Sequence, residues 1–234
     1  MLQRRPGRHF YEGIVAAFPI ALGYLPAAFA FGVLADQVGL SYLAAVLMSI
    51  LVFAGASQYA ALALIAAGQS VATIIATTFI VNLRHLLMAT VLAPHLRTWP
   101  TLKRILFSLQ MTDETFALHS TQFPNDTPKP PYVFGVNSTA HAAWVIGTAL
   151  GFVASTALGD LTPFGFDYAL PAMFIALLVI QMHGELTWWA AAFAGSTALL
   201  LHVMGYPTAA IMIGTLVGST AGMMNDLCVN RSSS

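Results

Sequence analysis

Val71-Ala-Thr-Ile-Ile-Ala-Thr-Thr-Phe-Ile-Val-Asn82-Leu-Arg84-His85-Leu-Leu-Met-Ala-Thr-Val-Leu-Ala93 is an apolar run with a guanidinium near its centre. It follows a stretch, Gln37 to Leu83, of 47 residues without Asp, Glu, Lys or Arg. Crossing a hydrocarbon layer of ~30 Å takes ~20 helical residues, so this stretch can supply two passages. Arg84 then lies roughly 10 residues of helix, at ~1.5 Å each, from the nearer surface. A snorkelling arginine does not comfortably cover that distance, so its charge needs a partner or a wet cavity. The chain reads as a polytopic membrane protein with a polar centre.

Composition agrees. Hydrophobic residues make up 58% of the 234 residues and charged ones 8%, with mean hydropathy +0.76, against about 25% charged residues in soluble domains. Further charge-free runs cover 13–35, 130–159 and 186–225. A net charge of zero and the lack of a large basic cluster argue against nucleic acid as a partner. Cys228 is the only cysteine, which excludes an internal disulfide and a thiolate metal cage. The 23 uncharged residues after Arg4, Arg5 and Arg8 fit a retained span better than a signal's short apolar core. The expectation is one membrane transport domain over 1–234, with residues 1–12 as a cytoplasmic tail.

Apolar windows fall at 13–35, 41–67, 70–94, 105–120, 132–156, 168–183, 187–203 and 206–225, predicting an all-α bundle of about seven or eight membrane segments. Residues 121–131, with four prolines, form the one clear polar loop. Arg4, Arg5 and Arg8 place the N-terminus in the cytoplasm by the positive-inside tendency, and Arg97, Lys103 and Arg104 belong on the same side. Three windows lie between these clusters, so one is expected to be re-entrant. The candidate is 41–67, broken at Ala54-Gly-Ala-Ser57-Gln58; the alternative is that all windows span and one loop violates the rule. Leu25-Pro-Ala-Ala-Phe29 returns as Leu170-Pro-Ala-Met-Phe174, a weak sign of an internal repeat.

The polar residues inside these windows are the candidates for chemistry. Pro19 and Pro26 interrupt the first span, and Tyr24-Leu-Pro26 reads as an unwound point where backbone, the Leu22 carbonyl included, faces a ligand; a simple kink is the alternative. At 100° per residue, Thr78, Asn82 and His85 share one helical face and Thr73, Thr77 and Arg84 another. Thr112-Asp113-Glu114-Thr115 supplies the counter-charge for Arg84, and adjacent carboxylates in low dielectric do not both ionise cheaply, which suits a proton-coupled carrier. The alternative sets this tetrad at a helix terminus, capping backbone at the surface. Asn137, His141 and Trp144 share a face by i, i+4, i+7 spacing. Ser57 and Gln58 complete the polar shell, and Phe29, Phe53 and Trp144 offer an apolar slot. His183 and Glu185 read as interfacial. Neither a metal-site spacing nor a phosphate loop is found. Gly147-xxx-Gly151 and Gly214-xxx-Gly218-xxx-Gly222 are close-packing stripes.

Phe18-Pro-Ile-Ala-Leu-Gly-Tyr-Leu-Pro-Ala-Ala-Phe-Ala-Phe-Gly32, Phe53-Ala-Gly-Ala-Ser-Gln58, Asn82-Leu-Arg-His85 and Met111-Thr-Asp-Glu-Thr-Phe-Ala117 occur in that order. Together they resemble the AzlC family, the large subunit of branched-chain amino acid exporters, over nearly the whole chain. Met111 stands where many relatives carry Leu, a conservative change. The resemblance implies a multi-pass protein of the bacterial inner membrane that exports valine, leucine, isoleucine or methionine. It also implies proton coupling and a small hydrophobic partner of the AzlD type, and no cofactor. Two rival readings are a non-transporting scaffold for another permease and an intramembrane serine hydrolase pairing Ser57 with His85 or His141.

Overall fold

The computed structural model describes residues 6–124, 127–158, 175, 185–206, 210, 213, 214, 216–218 and 220–222. These residues are helices and short connections, and none is in a strand. The chain divides into two compact units, 1–170 and 171–234.

The first unit is built on two long helices, α1 (Pro6–Gln37) and α7 (Pro130–Leu158). Small residues let their backbones touch: a methyl on Gly147 would stand 2.7 Å from Ala28 Cβ and 2.9 Å from the Leu25 carbonyl, and one on Gly151 would strike the Phe29 carbonyl. Phe10 and Gly13 meet Gly135, whereas Leu25 and Phe29 meet Gly147 and Gly151, so the two helices run in the same direction. α1 continues through Pro19 and Pro26 without a break. The expected unwound point is therefore absent, and Pro26 and Leu22 are both exposed.

Between these helices the chain enters the bundle twice from opposite ends. Ser41 caps α2 (Tyr42–Leu51) by accepting from Ala44 N. α2 runs antiparallel to α7: Tyr42 packs on Phe152, Ser49 on Thr148, and Phe53 in the following turn on His141. The turn holds Phe53 at φ 42, a left-handed conformation rare for a bulky residue. α3 (Gly55–Ala66) starts against Trp144, then turns back; Tyr59 bonds the Ala27 carbonyl at 2.6 Å and packs on Phe31. Window 41–67 is thus a half-depth hairpin that leaves by the end it entered.

α4 (Val71–Leu92), capped by Ser70 and prolonged by a 3₁₀ turn at Ala93–Leu96, runs back to the Pro6 end. There Met88, Leu92 and Leu96 pack with Trp99, Phe107, Met111, Phe123 and Val133. α5 (Thr101–Leu109) climbs towards mid-length, and α6 (Asp113–Gln122) descends, with Gln122 Nε2 donating to the Tyr132 hydroxyl at 2.8 Å. The predicted window 105–120 is therefore a second broken hairpin, not one helix. The polar loop is shorter than 121–131, because α6 reaches Gln122 and α7 begins at Pro130.

A long helix followed by a broken hairpin thus occurs twice with opposite polarity, as α1–α3 and α4–α6. The sequence echo at 170–174 lies outside the described residues. Among those residues, three helices are long and apolar enough to cross a membrane: Gly7–Gln37, Val71–Leu96 and Pro130–Ala157. Every described Lys and Arg except Arg84, namely Arg8, Arg97, Lys103, Arg104 and Lys129, lies at the Pro6 end.

In the second unit α8 (Glu185–Val203) is followed by helical residues between 210 and 222. Gly214 and Gly218 abut Ala194 there, so this glycine stripe packs within the chain. Window 168–183 lies outside the described residues apart from helical Ile175, and His183 with it.

Candidate functional site

Tyr24, buried at the middle of α1, is where the two hairpin tips converge. Its hydroxyl bonds Thr112 Oγ1 at 2.6 Å and the Glu114 carboxyl. Thr112 also caps α6: it accepts from Thr115 N, while Thr115 Oγ1 accepts from Thr112 N at 2.9 Å. Cap and buried cluster are thus one structure, because this helix begins inside the protein.

Asp113 pairs with Arg84, Nη1 to Oδ2, at 2.7 Å. Asn82 and His85 do not join this pair. His85 Nδ1 bonds the Asn82 carbonyl one turn back at 3.2 Å, and Asn82 Oδ1 is buried without a partner. α4 is regular here, so residues on its other face stay there, as the angular spacing requires.

The opposite wall is aromatic. The Tyr24 ring meets Trp144 edge-on at 5.2 Å and Phe53 at 6.3 Å, and Phe53 stacks on His141 at 4.2 Å. Behind this wall lies a satisfied polar chain. Trp144 Nε1 donates to Gln58 Oε1 at 3.0 Å, Gln58 Nε2 to Ser49 Oγ at 3.1 Å, and Ser49 shares a 2.7 Å bond with Thr148. The indole N–H is only a donor, which fixes the Gln58 amide orientation. His141 Nε2 lies 3.3 Å from the Ser49 carbonyl. This chain ties the first hairpin to α7.

Asn137 is placed elsewhere than expected: its Oδ1 accepts from His119 Nε2 at 2.8 Å, nearer the Pro6 end. Ser57 is buried, but its hydroxyl donates to the Ala54 carbonyl at 3.0 Å. Ser57 therefore makes no hydrogen bond to a histidine among the described residues. Ser49 and Thr148 belong to the cluster and were not among the expected site residues, and Thr112 was expected there only as a member of its tetrad. Thr148 continues the Asn137, His141, Trp144 spacing by one more turn, so its face was readable. Among the described residues no group of three or more His, Cys, Asp or Glu could hold a metal ion.

Long apolar helices and opposed broken hairpins define a multi-pass helical membrane protein, with an interior ion pair beside a second carboxyl at its polar centre. The family model described as AzlC protein matches residues 19–158, and the chain belongs to the AzlC family. It is 34% identical over 212 residues to an uncharacterized membrane protein of Archaeoglobus fulgidus, covering 89% of this chain and 92% of that one. It is 28% identical over 224 residues to the inner membrane protein YgaZ of Escherichia coli, covering 93% and 89%. It is 26% identical over 177 residues to the branched-chain amino acid transport protein AzlC of Bacillus subtilis, covering 75% and 69%. No solved structure matches the chain. Family and relatives support a membrane transporter-like role.

Proposed function

We propose that this protein is a secondary transporter that exports valine, leucine, isoleucine and methionine, coupled to protons. In this reading it works with a small hydrophobic subunit of the AzlD type in the bacterial inner membrane, its basic Pro6 end facing the cytoplasm. The observation that carries the reading is the Arg84–Asp113 pair at 2.7 Å beside the Tyr24–Phe53–Trp144 wall.

An amino acid zwitterion brings one charge of each sign and an apolar tail. Inserted into the pair, its carboxylate takes Arg84 and its ammonium takes Asp113, so one ion pair becomes two and net charge is unchanged. When substrate leaves, the two side chains close on each other, and the empty carrier reorients without an uncompensated charge in low dielectric. Phe53 and Trp144 face the aliphatic tail. Glu114, held by the neutral hydroxyl of Tyr24, can gain or lose a proton while the Arg84–Asp113 pair stays intact.

The test is efflux of radiolabelled leucine and methionine from vesicles under an imposed pH gradient, with and without the small subunit. Gradient-dependent efflux is expected. Vesicles no leakier than protein-free ones in both arms would overturn the reading.

A further inference from the structure

Among the described residues five buried side-chain atoms have no hydrogen-bond partner: Asn82 Oδ1, Arg84 Nε, Gln110 Oε1, His119 Nδ1 and Asn137 Nδ2. Buried polar atoms are nearly always paired, so where the exceptions fall is informative. Four belong to α4–α6, and the fifth, Asn137, is the α7 residue that His119 of α6 bonds. None belongs to α1, α2 or α3. There the buried polar side chains are met: Ser49 bonds Thr148, Ser57 the Ala54 carbonyl, Gln58 both Ser49 and Trp144, and Tyr59 the Ala27 carbonyl.

Packing divides the molecule in the same place. Glycine contacts press α1 on α7, Gly55 of α3 abuts Trp144, and α3 buries Ser57, Gln58, Tyr59, Ala61 and Leu62. Its counterpart α6 buries Thr115 and His119. The apolar span of α4 is 6% buried, against 33% for α1 and 44% for α7. What holds α4–α6 is largely internal: the Arg84–Asp113 pair, and Met88, Leu92 and Leu96 packed with Trp99, Phe107 and Met111. It meets α7 through Val133 and through Trp99 on Phe134 at 5.9 Å, apolar contacts that fix no direction. The link to α3 turns at Gly68, φ 64, where even a Cβ would meet nothing within 4 Å, a backbone free to pivot.

We infer that α4–α6 moves as one body against a fixed frame of α1–α3 and α7, carrying Arg84, Asp113 and Glu114 past the Tyr24–Trp144 wall. The inference rests on the transport reading above and adds which part of the bundle carries the substrate. Polar bonds cross from body to frame at Tyr24 with Thr112 and Glu114, at His119 with Asn137, and at Gln122 with Tyr132. These are the latches of the position seen here. The unmet donors and acceptors of the body destabilise that position, which brings a second one, with other partners, within reach. Packed interfaces switch between such discrete positions and do not deform continuously. Both charges of the ion pair ride on the body, so the move separates no charge in low dielectric.

The test measures distances between pairs of nitroxide labels by pulsed electron spin resonance. It uses the full chain in proteoliposomes, with its small subunit where activity needs it, in a Cys228→Ser background. Cysteines go to exposed positions: Arg8 and Leu43 on the frame, Ile75 and Lys103 on the body. Leucine exchange by each labelled protein is measured in the same vesicles. The pairs across the boundary, Leu43 with Lys103 and Arg8 with Ile75, are expected to show two distances about 5 Å apart, one helical turn. Leucine should change the ratio of the two. The pairs within one part, Arg8 with Leu43 and Ile75 with Lys103, should show a single distance that leucine does not move. One unchanging distance for every pair in a protein that exchanges leucine overturns the inference. So does a split within the frame pair or the body pair as wide as that across the boundary. A parent that does not exchange leucine overturns the transport reading instead.

Discussion

Arg84 of α4 and Asp113 of α6 form an ion pair at 2.7 Å that joins a full-length helix to the tip of a half-depth hairpin. Their side chains keep 35% and 29% exposure, so the pair is neither a solvated surface bridge nor a dry buried one. Arg84 Nε is buried and has no hydrogen-bond partner, so the guanidinium is not fully satisfied by Asp113.

Breaking the pair should cost more than deleting it. Arg84→Gln or Asp113→Asn alone leaves one charge uncompensated, whereas the double variant leaves none. A double-mutant cycle on thermal stability in detergent is expected to give about 1–3 kcal/mol of coupling, between the exposed and buried cases. Additive effects would show that the two groups do not interact.

Trp144→Phe removes the donor to Gln58 Oε1 and leaves a buried acceptor unpaired. A loss of about 1–3 kcal/mol is expected, read as a lower melting temperature. Gly55→Ala sets a methyl 2.7 Å from Trp144 Cη2 and destabilises the parent. In the Trp144→Phe background its cost should shrink, because the smaller ring no longer fills that space.

The contact between α1 and α7 leaves no room for a side chain at Gly151, whereas the exposed side of α1 leaves ample room at Gly23. A methyl on Gly151 strikes the Phe29 carbonyl, while one on Gly23 meets nothing within 4 Å. Gly151→Ala is expected to abolish the monodisperse protein peak on gel filtration. Gly23→Ala should be neutral or gain up to ~1 kcal/mol from helix propensity.

Hairpin topology can be read by labelling from each side of the membrane. Cys228 is the only cysteine, so a Cys228→Ser background is clean. Cysteines at Gln37 and Gln69, which flank the first hairpin, should react from the same side, and one at Arg97 from the other. Labelling of Gln37 and Gln69 from opposite sides would mean that 41–67 crosses the membrane.

Much of this was legible because charge is so costly in an apolar run. Arg84 demanded a partner, and the nearest carboxylates in an apolar setting were Asp113 and Glu114. Parity between two basic clusters left either a re-entrant segment or one loop that violates the rule, and Ala54–Gln58 marked where the helix breaks between Leu51 and Gly55. Other features left no such trace. Asn137 was grouped with His141 and Trp144 by angle alone, but at ~1.5 Å per residue it sits about 10 Å below Trp144, level with His119 instead. Pro26 lies two residues from Tyr24, so at 100° per residue it faces the opposite way. Ser49 left no signal, and Thr148 shared a readable face but looked like an ordinary helical hydroxyl, because hydroxyls in helices commonly bond their own backbone, as Thr148 also does to Trp144. The break at 110–112 was missed as a break because Thr112 read either as a surface cap or as a buried polar group, not as a cap placed inside.

The most direct measurement of the central claim is leucine efflux from proteoliposomes holding the parent, Arg84→Ala or Asp113→Asn at equal inserted amounts. The ion pair as a substrate site predicts efflux from the parent and, in both variants, a rate no faster than protein-free vesicles. Efflux at the parental rate from either variant would contradict it.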